Sequence, residues 1–435
     1  LDGIKLPKDG LWRARLLLLR AETGREFLKQ YGYSLPTDSQ EGTKDLTKLT
    51  AAQWRSRIGA DYDALWDLRG MLVKRRLKDE GYCVDIAKAS LEYTPTLWDF
   101  IVGRWSGYLT EEAGAGSGPV PAGKIVADKY KADFSFLLPP AHKAAAILEN
   151  AADLPAKDRE TAAGLWRIKR LLLPAHSSGL FSGDHAKAAS DAVEVLIKWK
   201  DTLPSALARA QAAYEAAVIS AGNSLNKQAM DLCVRAMELA PRSRPGSECE
   251  KIKARMEEPS LQFTAKPVPP PGKGLASVTA RNIPAVHFRL YKTAPAELEL
   301  LFRKKQAGFN SLRSLTREEV TEFLSRKPEL SWTTELDYPV PYQFMTKEIL
   351  PPPLKKGLYV LAASGDADFQ AGGSILKAAV VNVTDIFLLG TAGIKGDPEE
   401  YILAPGEAAL PRQAQPEMFH FYAVNALSGL PLGGA

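Results

Sequence analysis

The sequence predicts a multidomain chain that is all-α in its first part and antiparallel β in its second. Two observations carry this. Seven of the eight tryptophans (Trp12, Trp54, Trp66, Trp98, Trp105, Trp166 and Trp199) fall in the first 200 residues, amid stretches rich in Ala, Leu, Lys and Arg that favour helix. Beyond a proline-rich run at 266–274 (KPVPPPGKG), short apolar segments with β-branched and aromatic members recur between turn residues, the pattern of an antiparallel sandwich.

The clearest helical signal is Leu225, Ala229, Leu232, Cys233, Ala236 and Ala240, which share one face of a 3.6-residue period and stop at Pro241. Ser247 and Glu250 then read as a capping box opening a short helix through Cys249, Ile252 and Met256, ending before Pro259. The segment 235–241 resembles the end of the second helix of a tetratricopeptide repeat, with Ala212, Tyr214 and Ala217 on a preceding helix. No second copy follows at the offset of about 34 residues that such repeats require, so the first part is a helical-repeat-like region without a named repeat. Residues 32–50 and 113–123 (AGAGSGPVPAG) are loops; the glycines of the second lack GxGxxG spacing.

The run 266–274 cannot be helical and reads as a linker. After it, 287–292, 329–335, 357–363 and 375–383 are predicted strands, and Thr316 with Glu319 caps one helix through Val320, Phe323 and Leu324. Residues 419–425 form a further predicted strand, and 428–431 a turn. The returning partner of that strand is expected beyond Ala435, so the chain reads as part of a longer protein. The predicted divisions are an all-α region at 1–258, a linker at 259–274, a β-sandwich with a helical insertion at 275–383, and the start of a second, truncated β domain at 384–435.

With 435 residues, 45% hydrophobic and 25% charged, the chain has room for about two to four compact units. The net charge of +5 is spread along the sequence, which argues against nucleic acid as a partner. No apolar run approaches the ~20 residues that span a bilayer. Cys83, Cys233 and Cys249 form no CxxC and no metal-ligand spacing; buried small hydrophobes is the favoured reading, and a Cys233–Cys249 bond requires their helices to pack.

Catalytic constellations are missing from the pattern. None of His142, His176, His185, His287 and His420 forms an HxxxH pair, and neither a GxSxG nor a GxxxxGK[ST] motif is present. Asp61, Asp63 and Asp67 around Trp66 suggest a glycosidase-type carboxylate pair, but acidic residues in the first turn of a helix explain them more simply. Asp366 and Asp368 have the look of a calcium loop, yet a hairpin turn in which Asp bonds its own backbone is favoured. The chain is therefore expected to have no catalytic, cofactor or metal residues and not to be an enzyme.

The segments 278–292 (VTARNIPAVHFRLYK) and 357–364 (GLYVLAAS), with the loop 365–369 after it, resemble strands of the first macroglobulin-like domain of bacterial alpha-2-macroglobulin-family proteins. Residues 379–388 are similar to the passage into that family's next domain, 421–435 to its strand and "P-L-x-G-A" hairpin, and 93–100 (YTPTLWDF) to a segment preceding these domains in Gram-negative members. The resemblance implies Ig- or fibronectin-like macroglobulin sandwiches in a periplasmic, outer-membrane-associated or cell-surface protein that traps proteases, its partners being proteases and other envelope proteins. Its reactive CxEQ thioester is opened by none of the three cysteines. The alternative is a surface adhesion or glycan- or protein-binding module in which the tryptophan-rich helices, Trp98 and Trp105 above all, form a groove.

Overall fold

The computed structural model describes all residues except 1–4, 39–44, 83, 87–89, 112–119, 129, 132–133, 177–179, 266–275, 300–314, 316, 350–351, 371–374, 394–417, 426–427, 429 and 431–435. The chain divides into two compact units, Leu1–Met256 and Glu257–Ala435; it is helical up to Glu257 and largely antiparallel β thereafter.

In the first unit several long helices begin where a short polar side chain satisfies an orphan backbone donor of the first turn, while the helices Pro140–Asp153 and Asn226–Leu239 open on Pro139 and Leu225 with no side-chain cap. Helix α1 (Gly10–Tyr31) starts on Asp9, whose carboxylate accepts the Trp12 N–H at 2.8 Å. Helix α2 (Ala51–Trp66) opens on a complete capping box between Thr50 and Gln53. A single turn, α3 (Arg69–Leu72), precedes α4 (Leu97–Glu111), where the Thr96 hydroxyl accepts the Asp99 N–H. The short strands β1 (Val120–Pro121) and β2 (Phe181–Ser182) pair in parallel, and the short α5 (Ala122–Ile125) is followed by α6 (Pro140–Asp153) and α7 (Glu160–His176). Helix α8 (His185–Thr202) is capped by Asp184 and α9 (Ala206–Gly222) by Ser205. Helices α10 (Asn226–Leu239) and α11 (Arg244–Glu257) complete the unit. Helix α11 begins a turn earlier than the Ser247–Glu250 box predicts: the Ser243 hydroxyl accepts the Gly246 N–H at 3.3 Å, so Ser247 lies inside the helix.

Packing follows chain order, with α1 on α2, α4 on α6, α6 on α7, and α8, α9 and α10 in succession. Alanine makes the closest approaches possible. Ala208, Ala210, Ala212, Ala213, Ala216 and Ala217 of α9 are all buried, and a Cβ on Gly164 of α7 would lie only 2.6 Å from the Ala208 Cβ. The tryptophan excess has a structural cause. Trp66 and Trp105 meet edge to face at 6.2 Å between ring centres, Trp66 and Trp98 at 6.1 Å, and Tyr62 stacks on Trp105, so α2 and α4 are joined by an aromatic seam. Each such pair contributes roughly 0.5–1.5 kcal/mol beyond its area burial.

The second unit contains two antiparallel sheets that share one core. The first orders β3 (Ser260–Ala265), β4 (Ala276–Arg281) and β7 (Met345–Ile349). The second orders β6 (Leu330–Glu335), β5 (Ala285–Thr293), β8 (Gly357–Ser364) and β9 (Leu376–Val383). Leu261, Phe263 and Val278 from one sheet and Val286, Phe288, Leu361 and Val381 from the other fill the space between them. Strand β8 is buried on both faces, because Val360 and Ala362 on its far side meet Val320 and Phe323 of helix α12 (Arg317–Leu324). That explains why its sequence is a continuous apolar run rather than an alternation. Thr316, the predicted cap of α12, lies outside the described residues.

Two sequence expectations are corrected here. Residues 260–265, assigned to a linker, form β3 and pair along their whole length with β4, so the run 266–274 joins neighbouring strands of one sheet and not two domains. The buried alternation of Leu261, Phe263 and Ala265 was hidden by the adjacent prolines. Strand β11 (Met418–Asn425) has a partner upstream: β10 (Ile386–Gly393) pairs with it residue for residue, from Ile386 opposite Asn425 to Gly393 opposite Met418. At the end of β11 the Asn425 N–H donates to the Leu430 carbonyl and the Ser428 N–H donates to the Asn425 carboxamide oxygen; the predicted turn 428–431 falls partly outside the described residues.

Candidate functional site

The residues that attracted attention in the sequence are mostly structural. Asp61, Asp63 and Asp67 sit at the C-terminal end of α2, not in its first turn as the dipole argument assumed. Asp61 is held by the Arg20 guanidinium through two hydrogen bonds, and Asp63 receives the Lys143 ammonium at 3.2 Å. Burial pushes Asp63 above the usual carboxylate range, while Lys143 opposes the shift. Asp67 is exposed at the helix end. Their partners lie on different helices, so the three carboxylates do not converge on a common substrate. Trp98 and Trp105 are fully buried, which removes the surface groove they were expected to line.

Asp366 closes a turn: its carboxylate accepts the N–H groups of Asp368 and Gln370, at 3.2 and 2.8 Å. Among the described residues no group of three or more His, Cys, Asp or Glu side chains converges as metal ligands would. Cys233 and Cys249 are buried and unbonded; a hydrogen bond between their thiols, with burial, pushes Cys249 far above the ordinary range. Cys83 lies outside the described residues.

A different set of residues forms a concave site in the helical unit, a cleft of about 520 Å³ between α7 and α9. That is within the range of small-molecule sites. Helix α7 presents Leu165, Trp166, Ile168, Lys169, Leu172 and His176, and α9 presents Gln211, Tyr214, Glu215 and Val218. Both sets follow the three- and four-residue spacing of a single helix face. Tyr93 and Thr94, in the turn before α4, close one side, and Arg244, the first residue of α11, another.

The wall is held by a buried network. Asp99, on α4, receives the Arg159 guanidinium at 3.0 and 2.6 Å, the Thr96 hydroxyl at 2.6 Å and the Trp166 indole N–H at 2.8 Å. The indole is thereby fixed in orientation, and its ring carries the Lys169 ammonium 5.8 Å from the ring centre. Lys169 donates to the Ser106 hydroxyl at 2.9 Å and has no carboxylate within ion-pair distance among the described residues. Burial holds its ammonium below the usual lysine range, with Glu111 opposing the shift.

Opposite it on α9, burial raises Glu215 above the usual carboxylate range, against the Gln211 amide that donates to it at 2.8 Å and the nearby charges of His176 and Arg244. The Tyr93 hydroxyl is buried with no hydrogen-bond partner among the described residues. The cleft thus combines an apolar floor, aromatic walls and cations with few partners, an arrangement suited to recognition.

The sequence did not mark these residues as a site: Tyr93 and Thr94 lie in the 93–100 segment, Tyr214 on the repeat-like helix, and Trp166 and His176 among the tryptophans and histidines, each noted for another reason. The usable signal was Lys169 and Glu215, charged residues on helix faces that are otherwise apolar.

No family model, curated protein or solved structure matches the chain.

Proposed function

We propose that this chain is a scaffold and contact region of a protease-trapping alpha-2-macroglobulin-family protein of the bacterial cell envelope, acting by binding and not by catalysis. The observation that carries this reading is order. The segments that resemble the family fall on β4–β5, β8, β9 and β11, in the family's sequence, and the first three lie in antiparallel sheets around one core. Two such sheets support the macroglobulin-like, Ig- or fibronectin-like sandwich that the resemblance implies. The β10–β11 pair, a separate two-stranded sheet among the described residues, supports the start of a second such domain.

In such a trap this region supplies rigid surface, and the chemistry belongs to other parts of the molecule. The test is to incubate the full-length protein carrying this chain with a protease and follow cleavage and hydrodynamic radius together. One dominant cut accompanied by a large compaction is expected. Scattered cleavage at unchanged radius would sink the trapping mechanism.

A further inference from the structure

We infer that the cleft between α7 and α9 is a binding site for a small organic carboxylate with an aromatic body. The inference does not rest on the protease-trapping reading and survives or fails without it.

The body of the ligand follows from the floor and walls. Leu165, Ile168 and Leu172 are aliphatic, and Trp166, Tyr93 and Tyr214 offer ring faces. The Trp166 indole N–H is already committed to Asp99, so its ring is left to stack.

The anionic head follows from the charges. Lys169 is half-buried, and its one hydrogen-bond partner among the described residues is a neutral hydroxyl. Arg244 makes no ion pair with any described residue; the carboxylates whose fields it feels are Glu215 and Glu248, beyond hydrogen-bond reach. His176 adds a third basic group at the end of α7. Against these the cleft contains one carboxylate, Glu215, whose Oε1 is taken by Gln211 and whose charged form is disfavoured by burial.

An anion placed beside Lys169 supplies the counter-charge that burial denies it. An under-compensated ammonium on the wall of the cleft costs free energy in the empty protein, and a carboxylate removes that cost.

The test uses three probes of equal size on the 435-residue chain: 3-phenylpropanoate, 3-phenylpropan-1-ol and 3-phenylpropylamine, titrated by calorimetry and by saturation-transfer NMR. A hydrogen bond to a charged group contributes about 1.5–3 kcal/mol, so the carboxylate should bind at least roughly tenfold more tightly than the alcohol. The amine should bind more weakly than either. Lys169→Met and, separately, Arg244→Ala should each lose most of the carboxylate's advantage while leaving the alcohol's affinity within about twofold, a split that a merely collapsed cleft does not give.

Equal affinity for all three probes, preference for the amine, absence of binding by the carboxylate, or carboxylate affinity unchanged in both variants overturns the inference. If Lys169→Met does not fold, the exposed Arg244→Ala and the probe series on the unaltered chain decide it.

Discussion

Replacing Arg159 by methionine tests whether the Asp99 network holds the helical unit together. Asp99 is fully buried, and Arg159, itself 2% exposed, provides its only counter-charge within ion-pair distance among the described residues. The same guanidinium donates to the carbonyls of Leu154 and Ala151, at 2.7 and 2.9 Å, which are otherwise orphans at the end of α6. Methionine fills much of the volume but supplies no charge and no donor. The Thr96 and Trp166 donors then remain on Asp99, so it is stripped only in part. Breaking a buried pair from one side costs about 3–5 kcal/mol, and at roughly 2–4 °C per kcal/mol for a unit of this size the midpoint should fall by about 6–20 °C. The assay is thermal unfolding followed by tryptophan fluorescence, which reports on this unit because seven of the eight tryptophans lie in it. Adding Asp99→Leu to the same chain should recover part of the loss, because the stranded carboxylate is then gone. A drop below about 2 °C in the single variant, or a double variant less stable than the single one by the full sum, refutes the account.

Gly164→Ala should destabilise the helical unit by about 1–3 kcal/mol, since its Cβ meets that of Ala208 at 2.6 Å and neither helix can yield without disturbing the cleft; denaturant midpoints check it. For Glu215 the folded-state pKa is raised above its unfolded value, so the native state binds more protons than the unfolded one between the two. The stability it contributes is complete below the ordinary glutamate value and is lost as pH rises through the raised value; Glu215→Gln should flatten that part of the stability–pH curve, and identical curves for the two proteins would refute it. Cys233 and Cys249 should react with a thiol reagent only as the helical unit opens, so in a Cys83→Ser background the labelling rate should follow the unfolding equilibrium across denaturant, and fast labelling in water would contradict their burial.

What the sequence disclosed and what it hid divide along the range of the interactions. Apolar periodicity is local, so α10, α12 and strands β5, β8 and β9 were legible in their own residues. Prolines are also local, and they misled at 260–265, where pairing between β3 and β4 settles the conformation and no residue of the strand announces its partner. The same holds for β11: its strand character is intrinsic, while nothing in its own residues names β10 as its partner. The carboxylates of α2 gave the opposite error. A cluster of Asp residues beside Trp66 looks like chemistry when written in a line, but Arg20 and Lys143, 41 and 80 residues away, turn two of them into structural ion pairs. The cleft was the hardest feature to see, because its wall is assembled from four separate segments and its groups are ordinary one at a time. Lys169 is unremarkable on a helix until Ser106 and Trp166 are known to surround it, and Tyr93 is unremarkable until its hydroxyl is found buried without a partner. A recognition site of this kind differs from a catalytic motif in that its information lies in desolvation and missing partners, which only the packed structure defines.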